Sequence, residues 1–192
     1  MKKEEILKLF EKTGAILEGH FILSSGFHSP KYLQCALLLE RPDISEKVCS
    51  ELASKFRDKK PDVVVAPAIG GVVVSYEVAR ALGVRSLFTE RVDGKMILRR
   101  GFKLGKDEKV LVVEDVITTG LSTKEVLGVV NAHGARPIAV GSIVNRAKEK
   151  IDFGCEAKSL IDIDIPVFKS EECPLCKKGT PLTKPGSRKT RP

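Results

Sequence analysis

The sequence predicts an α/β protein built on an open, mostly parallel sheet flanked by helices. Apolar runs of strand length alternate along the chain with segments of helical periodicity, which is typical of a doubly wound parallel sheet. Residues 110–113 are four consecutive aliphatic residues, as expected for a strand that is buried on both faces. In such sheets the carboxyl ends of the strands form the edge that holds ligands.

The individual elements follow from periodicity and from the positions of Gly and Pro. Helices are expected at residues 3–13, at 43–57, at 72–82 with Gly83 as the stop, and from about 122 to Gly134. Strands are expected at residues 63–66, 84–88, 110–113 and 137–144, with one more within 159–168. Residues 18–32 predict a hairpin or an irregular lobe, residues 90–95 a mobile loop, and residues 96–102 a hairpin with the strand that begins near Lys109.

Length and composition describe a soluble globular protein of one domain. The chain has 192 residues, 42% of them apolar and 30% charged, so it can bury a sizeable core. No stretch reaches the roughly 18 apolar residues that a membrane span needs. The first ten residues mix acids with bases, unlike a signal peptide. We therefore expect a cytoplasmic protein that has no membrane partner.

The net charge of +8 raises the question of nucleic-acid binding. Residues 91–106 carry six Lys or Arg against one acid, and residues 169–192 carry seven against two. The excess therefore lies in two local patches and not over the whole surface. One hypothesis is a nucleotide-sensing regulator that uses its basic tail on RNA or DNA. A solvated tail is the simpler interpretation, and we expect no nucleic-acid partner.

The five cysteines, an odd number, do not suggest a disulfide framework. Cys35, Cys49 and Cys155 lie among apolar neighbours and are expected to be small core residues. Cys173 and Cys176 form a CxxC pair, which is half of a tetrahedral zinc site. Since no second pair exists, a metal would need Cys155, a histidine or a symmetry-related copy. Free thiols or a local disulfide are the simpler alternatives.

The segment VLVVEDVITTGLS, residues 110–122, carries the densest chemistry of the chain. Glu114 and Asp115 follow the buried strand directly, at the edge where ligands bind. The turn Thr118-Thr119-Gly120 offers amide and hydroxyl groups beside a helix N-terminus, which together bind phosphate. Carboxylates accept hydrogen bonds from hydroxyl groups. A sugar phosphate would use both features, the acidic pair for its hydroxyl groups and the turn for its phosphate. Each feature alone also fits a buried strand followed by an ordinary helix.

Three further features accompany that segment. The spacing of Ser122 and Glu125 predicts a capping box at the start of the next helix. A second strand runs into the glycine turn Ala68–Gly71, where the backbone can approach an anion closely. Arg146 follows a third strand, and its planar guanidinium suits bidentate recognition of a carboxylate or an imide edge, unless it forms a surface ion pair.

Six segments together resemble the type I phosphoribosyltransferases, and among them the orotate-specific members. They are GHFILSSGFHSPKY, VVVAPAIGGVVVSYEVAR, FTERVDGKMILRRGF, VLVVEDVITTG, NRAKE and CPLCKKGTPLTKPGSR, spread from Gly19 to Arg188. The resemblance implies the type I phosphoribosyltransferase fold and transfer of a phosphoribosyl group from 5-phosphoribosyl 1-diphosphate to orotate. It also implies a small N-terminal hood over the base site at residues 1–40, an α/β core at 41–168 and a basic C-terminal tail at 169–192.

The resemblance assigns roles to individual residues. Glu114 and Asp115 would hold the ribose hydroxyls, and the residues from Thr118 onward would wrap the 5-phosphate. The implied set of 5-phosphoribosyl 1-diphosphate ligands is Arg91, Lys95, Glu114, Asp115, Val116, Ile117, Thr118, Thr119, Gly120, Leu121 and Ser122. The residues implied to face pyrophosphate are Ala68, Ile69, Gly70 and Gly71. Thr118 and Arg146 would contact orotate.

The basic loop is the expected seat of catalysis. Departure of pyrophosphate builds negative charge, which needs Mg²⁺ and positive side chains. Arg91 and Lys95 are the candidate catalytic residues, with Lys95 favoured to neutralise the leaving oxygens, whereas Arg99 and Arg100 could be structural or could face a second copy. Mg²⁺ would be held through the diphosphate, the ribose hydroxyls and water, with no direct protein ligand. Many relatives have a lysine where this chain has Ser24.

The resemblance also implies a homodimer in which the loop reaches the neighbouring site. A uracil or purine phosphoribosyltransferase is the alternative with the same fold. Arg146 argues against it, because those bases lack the carboxylate of orotate.

Overall fold

The computed structural model describes residues 1–23 and 25–185. Its helices are α1 (Lys3–Lys12), α2 (Cys35–Leu39), α3 (Pro42–Ser54), α4 (Gly70–Leu82), α5 (Leu121–Ala132) and α6 (Pro174–Lys177). Its strands are β1 (Ile16–Ile22), β2 (His28–Leu33), β3 (Val63–Pro67), β4 (Arg85–Val92), β5 (Lys95–Leu98), β6 (Lys109–Ile117), β7 (Arg136–Asn145) and β8 (Glu156–Asp162). Short 3-10 turns at Arg57–Lys59 and Ser170–Glu172 follow α3 and precede α6.

Six strands form one sheet in the order β5-β4-β3-β6-β7-β8. Every neighbouring pair is parallel except β4 with β5. The crossover through α4 places β4 on one side of β3, and β6 occupies the other side. The strand order therefore reverses between β3 and β6, the kind of position where open α/β sheets bind ligands. The predicted open, mostly parallel sheet flanked by helices is confirmed.

The central strands are buried on both faces, because helices cover the sheet from both sides. In β3, Val64 and Ala66 belong to the core layer that contains α3 and α4, whereas Val63 and Val65 belong to the layer that contains α5. Residues 110–113 of β6 alternate between the same two layers, and all four are fully buried. Each such side chain contributes roughly 1.5 to 3 kcal/mol by leaving water. This packing holds the central strands in place, and so it fixes the positions at which the loops after their carboxyl ends begin.

The N-terminal hairpin forms a separate two-stranded sheet of β1 and β2. Its outer edges pair with the C-terminal part of the chain, since Phe21 bridges to Thr183 and His28 bridges to Phe168. Residues 169–185 of the predicted basic C-terminal tail are therefore not a simple solvated tail, because they carry α6 and contact the hairpin. Residues 186–192 lie outside the described part of the chain, as does Ser24.

The basic segment between β4 and β5 is a tight hairpin, where the sequence suggested a mobile loop. β4 continues to Val92, β5 begins at Lys95, and these two residues are paired. The turn consists only of Asp93 and Gly94, with φ of 48° and 80°, as in a two-residue hairpin of type I′. The expected hairpin of residues 96–102 with β6 does not form, because β5 pairs with β4 and β3 lies beside β6. Among the described residues no helix is long and apolar enough to cross a membrane.

Candidate active site

The loops that follow β3, β6 and β7 meet at the carboxyl edge of the sheet. The loop after β3 leads into α4, and the loop after β6 leads into α5. Since β3 and β6 are neighbours, the two loops lie on either side of the position where the strand order reverses. Every site residue that the sequence predicted, apart from those of the β4–β5 hairpin, belongs to one of these three loops or strand ends.

The acidic pair lies at the end of β6. Glu114 is buried, with 8% of its surface exposed, and Asp115 is half-buried. Burial raises the pKa of the Asp115 carboxyl, and hydrogen bonding with Glu114 and with the backbone N–H of Val116 acts in the opposite direction. Burial removes water molecules that would donate hydrogen bonds to these carboxylates. The hydroxyl groups of a ligand could donate in their place.

The glycine turn after β3 lies directly against that acidic pair. A Cβ on Gly70 would lie 2.8 Å from both carboxylate oxygens of Asp115, and a Cβ on Gly71 would lie 3.5 Å from Oε1 of Glu114. The turn is anchored to β4 by the Ala68 N–H, which donates to the carbonyl of Thr89 at 2.7 Å. Its Ala68–Ile69 peptide bond is cis. Only residues without a side chain allow this approach of backbone to carboxylate.

The turn after β6 leaves its polar groups open to solvent. Thr118 and Thr119 are exposed, and Gly120 has a φ of 73° immediately before α5. A side chain at Gly120 would come within 3.1 Å of Phe153, so glycine is required there for space as well as for conformation. The first amide groups of α5 and the two threonine hydroxyls therefore face the same edge as the acidic pair, as a phosphate-binding turn requires.

The predicted capping box at the start of α5 is absent. The residue that caps the helix is Gly120, which has no side chain to act as a cap, and the Leu121 N–H donates a long hydrogen bond of 3.4 Å to Oγ1 of Thr119. Ser122 is the second residue of α5 and therefore cannot be its cap. Glu125 forms a two-point ion pair with Arg91 of β4, with 2.8 Å between Nη1 and Oε1.

The Arg146 side chain lies in a poorly solvated position beyond the end of β7. Its Nε atom is buried and has no hydrogen-bond partner among the described residues. Burial lowers the pKa of the guanidinium, and the neighbouring Tyr32 and Cys35 act in the opposite direction. Arg146 also lines a cleft of about 790 Å³ between the ends of β7 and β8. An anionic ligand could accept the hydrogen bond for which this buried N–H has no partner.

The two candidate catalytic residues lie in the β4–β5 hairpin. Arg91 is committed to Glu125 and donates a second hydrogen bond to the carbonyl of Gly94 at 2.8 Å. Lys95 is exposed at the first position of β5 and forms no ion pair among the described residues. Arg100, which the sequence allowed as structural, pairs with Glu90 at 2.8 Å and lies over the ring of Phe88.

Sequence reasoning missed one residue near the site. Cys35, which was interpreted as a small core residue, is the first residue of α2 and is buried at 3% exposure. Burial raises the pKa of its thiol well above the usual value, and the charges of Asp115 and Glu114 raise it further. Cys35 is a buried core residue, as the sequence predicted, and it also interacts electrostatically with both carboxylates and with Arg146 of the site. Only the fold brings α2 there, so the sequence carried no local signal.

Comparison with known proteins agrees with this arrangement. The family model "Phosphoribosyl transferase domain" matches residues 38–170, and the chain belongs to the phosphoribosyltransferase family. The orotate phosphoribosyltransferase of Caldanaerobacter subterraneus subsp. tengcongensis is 55% identical over 189 residues, which cover 98% of this chain and all of that protein. The orotate phosphoribosyltransferase of Thermotoga maritima is 54% identical over 183 residues, 95% of this chain and 98% of that protein.

Within the phosphoribosyltransferases, the chain therefore belongs to the orotate phosphoribosyltransferase family. A solved structure supports the fold. The crystal structure of orotate phosphoribosyltransferase from Aeropyrum pernix matches with a TM-score of 0.70 and 24% identity, over 82% of this chain and 93% of that chain.

Proposed function

We infer that this chain is an enzyme that transfers the phosphoribosyl group of 5-phosphoribosyl 1-diphosphate to orotate. The products are orotidine 5'-monophosphate and pyrophosphate, and the reaction serves pyrimidine synthesis. One observation carries the inference: Gly70 lies directly against the Asp115 carboxylate, so a pyrophosphate-binding turn and a ribose-binding acidic pair meet at one point. The near full-length similarity to named orotate phosphoribosyltransferases supports the same activity.

The ribose phosphate fits the loop after β6. Glu114 and Asp115 accept hydrogen bonds from the ribose hydroxyls, which compensates the carboxylates for their lost hydration. The 5-phosphate is bound by the exposed hydroxyls of Thr118 and Thr119 and by the amide groups at the start of α5, where the helix dipole favours negative charge. Leu121 and Ser122 supply two of those amides.

The diphosphate fits the glycine turn of residues 68–71. The exposed backbone of Ile69 and Gly70 offers a close approach to phosphate oxygens beside Asp115. Mg²⁺ is the expected cofactor, held through the diphosphate, the ribose hydroxyls and water, and the carboxylates of Glu114 and Asp115 at this edge are hard oxygen acceptors that suit its water ligands. When bound with the diphosphate, Mg²⁺ neutralises the charge of the leaving group.

Orotate fits the Arg146 side of the edge. The guanidinium has a buried Nε without a partner, and a carboxylate is the ligand that its planar geometry recognises best. Uracil and purine bases carry no carboxylate, so the same observation favours orotate over them. Tyr32 at the end of the N-terminal hairpin lies beside this arginine, which supports the role of residues 1–40 as a hood over the base.

In the reaction, the bond between C1 of the ribose and the pyrophosphate oxygen breaks, and C1 forms a bond to a ring nitrogen of orotate, which loses its proton to solvent or to the departing pyrophosphate. The ribose passes through an oxocarbenium-like state while negative charge grows on pyrophosphate. Lys95 is exposed on the hairpin and is the residue that approaches the leaving oxygens. Arg91 supports it by fixing the hairpin against α5 through Glu125.

The enzyme acts as a homodimer. Three exposed apolar side chains lie along one face at the start of α4, at a spacing that places them on the same side of the helix: Ile69, Val73 and Tyr76, exposed by 87%, 41% and 63%. Substitution Tyr76→Lys within this face should shift the chain from dimer to monomer in light scattering. A wild-type chain that elutes as a monomer at all concentrations would contradict the dimer.

The decisive experiment is the loss of orotate absorbance in the ultraviolet on addition of 5-phosphoribosyl 1-diphosphate and Mg²⁺. Turnover of orotate, but not of uracil, adenine or hypoxanthine, is the expected result. No turnover of orotate together with turnover of another base would overturn the substrate assignment. The control is the same mixture with EDTA, in which turnover should stop.

A further inference from the structure

Four metal-ligating side chains from opposite ends of the chain meet away from the active site. His20 lies in β1 and His28 in β2, whereas Cys173 and Cys176 lie at the start of and within α6. Their ligand atoms all lie within 4.8 Å of one another. His20, His28 and Cys173 are buried, with 3%, 3% and 0% of their surface exposed, and Cys176 reaches the surface. Both cysteines are free thiols, so no disulfide accounts for their proximity.

The distances between these atoms match the edges of a small tetrahedron. Sγ of Cys173 lies 3.5 Å and Sγ of Cys176 lies 3.6 Å from Nε2 of His20. Sγ of Cys176 lies 3.2 Å from Nδ1 of His28, and the two imidazole nitrogens are 2.9 Å apart. A tetrahedral Zn²⁺ with bonds of about 2.3 Å to sulfur and about 2.0 Å to nitrogen separates its ligand atoms by roughly 3.3 to 3.8 Å. These four separations are within a few tenths of an ångström of that geometry, and the other two, from Sγ of Cys173 to Sγ of Cys176 and to Nδ1 of His28, lie within 4.8 Å.

The hydrogen bonding around His20 orients it as a ligand. Nδ1 of His20 lies 2.8 Å from the carbonyl oxygen of Thr180, which can only accept, so Nδ1 carries the proton. Nε2 therefore presents a lone pair to the two sulfurs and to His28. A backbone carbonyl that fixes the tautomer in this way is the usual outer partner of a metal-bound histidine. Without a cation, the groups that can donate a hydrogen bond to this lone pair are Nδ1 of His28, at 2.9 Å, and the two weakly donating thiols.

We propose that His20, His28, Cys173 and Cys176 bind one zinc ion that fastens the C-terminal segment to the N-terminal hairpin. Two sulfur and two imidazole ligands at tetrahedral spacing select Zn²⁺ among the common divalent ions. Because the protein supplies all four ligands, no position stays open for a substrate, and the site is structural. The backbone pairing of the same two parts, with the Ile22 N–H on the Thr183 carbonyl at 2.9 Å, gives the ion a preformed frame.

This site completes the half-site that the sequence contained. The sequence allowed Cys155, a histidine or a symmetry-related copy as further ligands, and the fold supplies two histidines of the same chain. Cys155 takes no part, since it lines a different cleft beside Phe153. The third histidine, His133, bonds to the carbonyl of Val129 in α5 and lies outside the cluster. These two residues provide matched controls.

The test is the metal content of the purified full-length chain after incubation with Zn²⁺ and removal of excess ion. Wild type, Cys155→Ser and His133→Ala should retain about one zinc per chain, whereas His20→Ala and Cys176→Ser should retain less than a tenth of that. Circular dichroism shows whether each variant is folded, and Cys176→Ser removes the most exposed ligand and disturbs packing least. Reduced wild type that takes up no zinc, or equal retention in the ligand variants, would overturn the proposal.

Two further readouts identify the ligands. Co²⁺ in place of Zn²⁺ should give the visible bands of a tetrahedral site and a sulfur-to-metal charge-transfer band, which Cys176→Ser should weaken while Cys155→Ser leaves it unchanged. A strong chelator should lower the melting temperature of wild type by several degrees and leave that of Cys176→Ser unchanged, because a bound ion stabilises only the folded state. A cobalt spectrum without charge transfer would mean that no cysteine is bound and would overturn the assignment.

Discussion

Arg91 of β4 and Glu125 of α5 form a two-point ion pair that connects the basic hairpin to the helix that follows the turn Thr118-Thr119-Gly120. The same arginine bonds to the Gly94 carbonyl at the tip of the hairpin. Lys95 directly follows that tip, so its position depends on the contacts that Arg91 makes with Gly94 and Glu125. Lys95 and Arg91 thus have different expected roles, the first toward the leaving group and the second in holding the hairpin.

Lys95→Ala should lower kcat by about 10- to 1000-fold, because a positive group aimed at developing charge acts mainly in the transition state. The KM for 5-phosphoribosyl 1-diphosphate should change by less than kcat. Steady-state kinetics of orotate loss measures both. Lys106→Ala removes the same charge from the loop before β6, at the opposite edge of the sheet, and should behave as wild type. Unchanged kcat in the Lys95 variant would move the catalytic role to another residue.

The role of the ion pair between Arg91 and Glu125 can be tested with a double-mutant cycle of Arg91→Ala and Glu125→Gln. If Arg91 acts by anchoring the hairpin, both single variants raise the KM for 5-phosphoribosyl 1-diphosphate and the double variant is no worse than either. The stability change should stay below about 1 kcal/mol, since both side chains are partly exposed. Effects that add would instead indicate that Arg91 contacts the diphosphate independently of Glu125.

Gly70→Ala should raise the KM for 5-phosphoribosyl 1-diphosphate by about 10-fold or more. The new methyl group would lie 2.8 Å from both Asp115 carboxylate oxygens, so either the turn or the acidic pair must shift. Gly128→Ala is the matched control, because its Cβ in α5 meets nothing within 4 Å and should stabilise the helix by about 0.5 to 1 kcal/mol. Equal kinetics in both variants would argue against the turn as the diphosphate site.

Arg146→Gln should raise the KM for orotate by about 10- to 150-fold, the cost of losing hydrogen bonds between charged groups. The KM for 5-phosphoribosyl 1-diphosphate should stay within a factor of a few. Arg136→Gln, at the amino end of the same strand β7, serves as the control for loss of one charge. A comparable loss of affinity for both substrates would show that Arg146 supports the whole edge and does not select the base.

Asp115→Asn should weaken binding of 5-phosphoribosyl 1-diphosphate yet raise the melting temperature at neutral pH. Burial raises the pKa of Asp115 above its ordinary 3.8, so the folded state binds more protons than the unfolded state in the window above that value. The wild-type chain therefore loses stability as the pH rises through this window, and the amide variant does not. Melting curves at pH values from roughly 3.5, below the ordinary pKa of an aspartyl carboxyl, to about 8 should show the difference grow with pH. A lower melting temperature for the variant at neutral pH would contradict this sign.

The sequence predicted the parts of the fold that local patterns determine. The aliphatic run of residues 110–113 identified a central strand because burial on both faces leaves no polar alternation. The acidic pair, the glycine turn and Arg146 were found because ligand sites of such sheets lie at strand ends. What each of these residues binds remains a prediction that the kinetics above can test.

The predictions that proved wrong concern contacts between elements that are distant in the chain, or a turn that was interpreted as a loop. The capping box of Ser122 and Glu125 is absent because α5 begins at Leu121, so that Ser122 lies inside the helix, and Glu125 pairs with Arg91 of β4. The loop expected at residues 90–95 is a hairpin, and the dipeptide Asp93-Gly94, a common two-residue hairpin turn, was the available signal for it. His20 of β1 and His28 of β2 had no such signal, because their sulfur neighbours lie about 150 residues away in the chain.

Pairing of the first hairpin with residues 168 and 183 has a consequence for the order of events during synthesis. The parallel sheet and its glycine turn are complete once β8 has left the ribosome, whereas the edges of β2 and β1 wait for Phe168 and Thr183. Since domains begin to form during translation, the nascent chain holds an assembled sheet beside an unfinished hairpin. The first strands become fully paired only after Thr183 has been made, and a product truncated before Phe168 would expose two unpaired strand edges to aggregation.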